Sequence, residues 1–414
     1  LDNATHALAG LLLAQGVIVW RERRGQPLAS EQRGALRWLS ALANNLPDGD
    51  GLYARRLGGK LGYLLHHRGH SHTVLVAALL GVGLFGAWLL WRRFRGRAPE
   101  PALRWMALGL CLVGPFVHVA LDSLNNYGTH VWWPFHARWY YGDTLFIIEP
   151  WLLVTLVPAL TFELSSRWGR AFWWAVLGVA LALAWGLEMV PPLLAVMLSA
   201  GAALSAVWCA RVSSSARLAY GCVSVTLVLS AFTLGSALAR QRVGAALTEG
   251  STRAAEQLQD VVITPAPGNP LCFSVVSVSV ASDRYITRTG AVSLLPGLVP
   301  TASCRIQRAG LTLGLSPARL AVSHGVVWEG EWRGSLSELR GLQRNHCHVA
   351  ALLHFSRVPF WRHTGSSRLL LGDLRFDRDA ELDFDELETP RVAQECPAWV
   401  PPWIPPRTDI LQPQ

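Results

Sequence analysis

Residues 66–73 read "HHRGHSHT", a knot of imidazoles and one arginine placed directly against a long apolar run. They have company at the same ends of other apolar stretches. His6 opens the first, Asp48 and Asp50 stand in "NNLPDGD", His118 and Asp122 close a later one, and Asp143 and Glu149 enter the next. Imidazole nitrogen and carboxylate oxygen together suit zinc, and also manganese or iron. The spacing of four between His118 and Asp122 puts both side chains on one helix face, which is a metal-ligand spacing. Between His67 and His72 the residues "RGHS" can turn the chain so that both rings converge near a helix start. Ionisable groups at a membrane edge are costly unless paired or metal-bound. Any one of these histidines alone reads as a hydrogen-bonded interfacial residue, and "PDGD" alone as turn chemistry; convergence of five separated segments is what points to a shared metal site. A metal held there would lower the pKa of a bound water toward about 7 and polarise a phosphoryl or acyl oxygen. A carboxylate left free of it, Asp50 or Asp143, would take the water's proton. Arg68 has the planar fork that suits a phosphate oxygen, or a salt bridge to a neighbouring Asp.

The elements that must position these residues are membrane helices. A hydrocarbon core of about 30 Å takes roughly 20 helical residues. Thr73–Trp91, Trp105–Leu121, Thr144–Phe162, Phe172–Val190, Leu193–Ala210 and Leu218–Leu238 are long and apolar enough to span. Thr5–Trp20 and Gly34–Leu46 are shorter and more polar, and read as two tilted spans or a re-entrant hairpin. The first apolar stretch follows Asp2, Asn3 and His6 rather than a basic leader, so it is expected to be retained, and the opening Leu suggests an alternative start or a few residues missing before it. The segment "RRFRGRAPEPALR" carries five arginines between two strong spans, which by the positive-inside rule places it in the cytoplasm. Alternation then puts "SSRWGR" and "ARVSSSAR" inside, and Asn45–Ser71, Ser123–Asp143 and everything after Leu238 on the other face, the periplasm of a bacterium; Arg55, Arg56 and Lys60 run against the rule there. Cys272, Cys304, Cys347 and Cys396 fall in that oxidising half, where they form two disulfides in one of three pairings or stay free thiols. Cys111, Cys209 and Cys222 lie in spans as small apolar side chains.

The pieces "DNATHALAG", "NNLPDGD", "HHRGHSHT", "HVALDSLNNYGT" and "WPFHARWYYGDTLFIIEP" make the first 160 or so residues resemble the YdjM-type family of bacterial inner-membrane proteins, described as metal-dependent hydrolases. The resemblance implies metal ligands at His6, Asp48 or Asp50, His67, His72, His118 and Asp122, with Asp143 and Glu149 as further polar members. Glu149 departs from the family's usual Asp, and His70 and His136 are additional histidines. The order of residue types is also similar to zinc-dependent phospholipase C and its related nucleases, which implies a polynuclear zinc site cleaving phosphoester bonds.

The fold class expected is an all-α polytopic membrane domain followed by a soluble, β-rich α+β domain. The boundaries are 1–163 for the hydrolase-like region, 164–240 for additional spans and 241–414 for the soluble, periplasmic part. Alternating apolar and polar residues predict strands within 261–295, 325–332, 348–363 and 367–377. On alternate faces of such a strand "HCH" at 346–348 cannot converge on a metal. The acidic run "DRDAELDFDELE" at 377–388 lacks a calcium loop's spacing and reads as solvated surface, and the Pro-rich end from Cys396 as an extended tail. The aromatic loop "YGTHVWWPFHARWYY" suits a membrane-interface belt or a lipid platform. The formal net charge of +9 would allow nucleic acid as a partner. Its densest arginines are explained by retention against an anionic inner leaflet, so the partners expected are the bilayer and a lipid or phosphoester substrate. The reading is a membrane-bound hydrolase with zinc, or manganese, as cofactor. A transporter or metal-handling protein, or a metal-stabilised scaffold without catalysis, is the alternative, and spans from Phe172 to Leu238 nearly bare of charge weigh against a conduit.

Overall fold

The computed structural model describes residues 1–250, 256–304, 315–318, 320, 322–377, 382–392 and 395–412. Helices come first: α1 (Asn3–Arg23), α2 (Ser30–Ala43), α3 (Gly51–Ala54), α4 (Gly59–His66), α5 (Val74–Phe94), α6 (Pro101–Asp122), α7 (Pro150–Thr161), α8 (Arg167–Gly186), α9 (Pro192–Arg211) and α10 (Ser214–Gly250). The remainder is β1 (Gln257–Ala266), β2 (Asn269–Ala281), β3 (Arg284–Ser293), β4 (Ser316–Pro317), β5 (Val326–Ser335), α11 (Leu336–Asn345), α12 (Cys347–Leu352), β6 (Pro359–Thr364), β7 (Arg368–Asp373), β8 (Leu387–Pro390) and α13 (Thr408–Leu411). Among the described residues six helices, α1, α5, α6, α8, α9 and α10, are long and apolar enough to cross a membrane. This is the expected class, a multi-helix membrane region followed by a sheet-rich domain.

Contacts divide the chain into two compact units, one of residues 1–49, 70–125 and 145–232, the other of 50–69, 126–144 and 233–414. In the first, α1 is the shared wall. Leu8 and Leu11 pack with α7, α8 and α9, while Ala14 and Ile18 pack with α2, α5 and α6. Small residues let backbones approach where lipid-like surroundings supply no hydrophobic drive between helices. At Gly114 on α6 a Cβ would come within 2.7 Å of the Ala43 Cβ at the end of α2, so only glycine permits that crossing. The run 144–162, expected as one span, is helical only over Pro150–Thr161. Glu149 caps it by accepting from the Trp151 N–H at 3.1 Å, and Pro150, unable to donate, sets the first turn.

A charged network ties the first unit together at the far ends of these helices. Arg37 donates to the Gln15 carbonyl oxygen at 2.8 Å, the Gln15 amide donates to Glu163 and Ser214, and Arg217 donates to Glu163 at 2.6 Å.

The second unit holds two antiparallel sheets, a five-stranded one in the order β1-β2-β3-β5-β4 and a three-stranded one in the order β6-β7-β8. Disulfides Cys272–Cys304 and Cys347–Cys396 select one of the three pairings. Several expectations are corrected here. Residues 347–352 are helical rather than extended, with Cys347 tied to Cys396, and β6 begins only at Pro359. The Pro-rich end is a packing element: Trp403, Ile410 and Leu411 are buried, and the Trp403 indole N–H donates to the Leu65 carbonyl at 2.8 Å. Within the acidic run, Asp377, Asp385 and Glu386 are buried rather than solvated, while residues 378–381 lie outside the described ones. The aromatic loop is chiefly core as well. Tyr127 and Trp139 join Phe355 and Trp403 in one apolar cluster, leaving Trp132 and Phe135 exposed.

Candidate metal centre

The sharpest sequence feature, His118 and Asp122, closes α6 with both side chains fully buried. The loop after α2 brings Asp48, and the turn preceding α5 brings His72, where Thr73 caps the helix by accepting from the Val76 N–H. One donor atom from each of Asp48, His72, His118 and Asp122 lies within 4.8 Å of every other. One carboxylate oxygen of Asp122 sits 3.1 Å from His72 Nε2 and 3.3 Å from His118 Nε2. Asp48 Oδ1 stands at 3.4 Å and 3.5 Å from the same two nitrogens. The nitrogens themselves are 3.0 Å apart.

The protonation of His118 can be deduced from its other side. Nδ1 lies 2.6 Å from the Asn44 backbone carbonyl, an oxygen that only accepts, so Nδ1 carries the hydrogen. A neutral His118 then presents a lone pair at Nε2 to two carboxylate oxygens and to a second imidazole nitrogen. His118 Nε2 thus faces the oxygens of Asp48 and Asp122 with no hydrogen of its own to give either, an arrangement that suits a cation between them. Fixing a histidine's ring by a backbone carbonyl on its far nitrogen is also how metal ligands are oriented. His72 has its Nδ1 2.9 Å from the Ser71 hydroxyl, which can serve the same purpose. Two anionic oxygens and two imidazole nitrogens form a donor set that fits a divalent metal of the zinc or manganese type.

His6 stands beside this group rather than among the four. Its ring stacks on His118 with centroids 3.7 Å apart, and its Nε2 is 3.2 Å from the second oxygen of Asp122, which the Leu1 nitrogen also meets. Among the described residues the buried Nδ1 of His6 has no hydrogen-bond partner. Asp2, which caps α1 by accepting from the Thr5 N–H at 2.9 Å, holds that helix start in place.

Asp50, His67, Arg68 and Asp143, also singled out from sequence, belong to the second unit. There the buried Asp50 accepts from the Arg68 backbone N–H at 2.9 Å and lies 2.9 Å from His67 Nδ1, while the His67 ring stacks on Tyr63. Arg68 adopts a left-handed φ of 57°, uncommon for a residue with a side chain, and its guanidinium lies 5.2 Å from the Tyr127 ring. Asp143, also left-handed at φ 50°, receives two bonds from Arg357, at 2.8 and 3.0 Å, and one from Arg240 at 2.8 Å. Both of its oxygens are thus engaged by guanidinium, which makes it an anchor of the sheet domain. Sequence reading missed the Asn44 carbonyl, for which a backbone atom leaves no residue-type signal. It also missed the Arg37–Gln15–Glu163 network, whose signal was a glutamine and an arginine inside otherwise apolar helices.

Residues 1–191 match the family model of the YdjM inner membrane protein, a stretch that contains all four clustered ligands. No curated protein and no solved structure matches the chain.

Proposed function

We propose that the membrane region of this chain is a metal-dependent hydrolase centre acting on phosphoester or lipid-linked substrates at the periplasmic face of the inner membrane. The observation that carries the proposal is the set of two histidines and two aspartates whose donor atoms lie within 4.8 Å of one another, with the His118 Nε2 lone pair turned toward both carboxylates. His72, His118, Asp48 and Asp122 would hold the ion, zinc first and manganese second. When bound, such an ion supplies Lewis acidity toward a phosphoryl oxygen and a more acidic water. The chain's own contribution begins with orientation: the Asn44 carbonyl fixes His118, and His6 together with the start of α1 fixes Asp122. Asp143 has its part in the proposal as the anchor of Arg357 and Arg240.

The compartment is supported by two observations. Two disulfides in the sheet domain suit an oxidising space. The arginine-rich segment 92–104, between two candidate spans, suits the cytoplasm. The test is hydrolysis by the detergent-purified full chain, stripped and then reloaded with zinc or manganese, on bis-p-nitrophenyl phosphate and on mixed phospholipid micelles. Turnover that appears with metal and is lost in Asp122→Asn is expected. Metal bound stoichiometrically with no turnover of either substrate class would reject the hydrolase and leave a structural metal.

A further inference from the structure

The first unit carries a second feature that the metal centre does not use, an open groove of about 730 Å³ between α1, α2 and the start of α8. We infer that it binds an anionic phospholipid, with the acyl chain along α2 and the phosphate at the Arg37 end.

The walls decide the chain. Leu11, Trp38, Leu42, Trp168 and Phe172 line the groove, and Trp38, Trp168 and Phe172 are exposed to the surroundings at 77, 74 and 59%. Between Gly34 and Asn45, both in its lining, α2 and its end rise about 16 Å at 1.5 Å per residue, close to half of a hydrocarbon core of about 30 Å. That is the depth one leaflet's acyl chain occupies. A volume of this size lies in the range of small-ligand sites.

Charge decides the headgroup. Arg37 is the one ionisable side chain in the lining, and no carboxylate lines the groove among the described residues. Its neighbour Glu163, 3.8 Å away, is shared with Arg217 at 2.6 Å, so two guanidiniums stand against one carboxylate and the corner keeps a surplus positive charge. Ser165 and Ser166 add hydroxyls beside it, and Arg167 and Arg170 follow on exposed positions of α8. A zwitterionic headgroup would bring its own cation to this corner, whereas an anionic one would not. The site involves no hydrolysis and stands or falls separately from the metal centre.

The experiment uses the full chain in nanodiscs with phosphatidylglycerol carrying a diazirine in its acyl chain, photolysed and mapped by peptide mass spectrometry. Labelling is expected on Trp38, Leu42 and Phe172 in excess over Leu79 and Leu90, exposed on α5. Unlabelled phosphatidylglycerol should compete and phosphatidylcholine should not. Gly34→Phe should lower groove labelling about tenfold, because a Cβ at Gly34 meets open space and the new ring blocks the headgroup end of the groove beside Arg37. Metal content is measured in the same samples and should equal that of the wild type. If Gly34→Phe fails to fold, Ala41→Phe on the same wall makes the same test. Even labelling over all lipid-exposed helices, equal competition by phosphatidylcholine, or unchanged labelling in the plugged variants would overturn the assignment.

Discussion

Replacing Asp122 by Ala removes the carboxylate that stands nearer to both clustered imidazoles, at 3.1 and 3.3 Å. Loss of a group that only orients a metal ligand typically costs 10–100-fold in affinity, so loss of a donor itself should cost at least about 100-fold, or about 2.7 kcal/mol. The consequence can be read as stability. With zinc at about 100 times the wild-type Kd, metal stabilises the folded wild type by about 2.7 kcal/mol; a variant whose Kd has risen to the zinc concentration gains only about 0.4 kcal/mol. The assay is thermal unfolding of the detergent-solubilised chain with and without zinc, paired with elemental analysis of the purified protein. Comparing each variant's gain with its own metal-free state removes the cost of the lost His6 and Leu1 contacts, which Asp122→Ala also incurs. His118→Ala should behave the same way. An equal zinc-induced gain in both variants, or a wild type that stays folded yet gains nothing from zinc or manganese, would refute the assignment of the cluster.

Gly114→Val should weaken zinc binding about 10–100-fold without touching a ligand, because the added methyls push α6 off Ala43 and draw His118 away from the Asn44 carbonyl; zinc titration measures it. Arg357→Met should destabilise the sheet domain by about 3–5 kcal/mol, since Asp143 and Asp260 would each lose a buried partner; denaturant unfolding followed by near-UV circular dichroism reports the loss. Burial holds the Asp385 carboxyl well above the carboxylate range, with the nearby Asp373 adding to it. The folded chain therefore keeps a proton that the unfolded chain releases near about pH 4, so this group's contribution is full below that pH and declines as pH rises. Asp385→Asn should flatten the decline in unfolding free energy between pH 4 and 8, and an unchanged slope would contradict it. Alkylation of the denatured, unreduced protein followed by mass spectrometry should modify Cys111, Cys209 and Cys222 and spare the four paired cysteines.

Hydropathy made most of the membrane region legible, because a span is specified by composition over a long window and tolerates errors of a few residues. The pairing of His118 with Asp122 was equally legible, since helical periodicity alone puts both on one face. What hydropathy could not report was where a helix starts when an apolar run includes a carboxylate and a proline. Residues 144–149 are as apolar as a span requires, yet Glu149 and Pro150 impose the first turn there. In the sheet domain the strands from Gln257 to Ser293 announced themselves by alternation, whereas "HVAALLHF" carries apolar residues at both strand and helix spacings. Tertiary context decided it: the turn that begins α12 is tied by Cys347 to Cys396, a partner 49 residues away. The aromatic loop and the Pro-rich end misled for a related reason. Trp139 and Trp403 can lie at a membrane interface or in a core, and the choice rests on whether the indole N–H finds a carbonyl, here those of His354 and Leu65.

The charge on the cluster links its burial to its chemistry. Counting the four side chains alone, Asp48 and Asp122 bring two negative charges. Protonating both imidazoles at Nε2 would set two N–H groups 3.0 Å apart, each carrying positive charge toward the other. One shared proton avoids that clash but leaves a net negative charge in a site where three of four side chains are fully buried. A divalent cation neutralises both carboxylates, uses both lone pairs and removes the conflict. The exposure pattern then separates the ligands. Asp48, at 12% against 0% for the others, is the member that solvent reaches, and it also stands farthest from the two nitrogens. Asp122, backed by His6 and close to both imidazoles, is the more constrained of the two carboxylates.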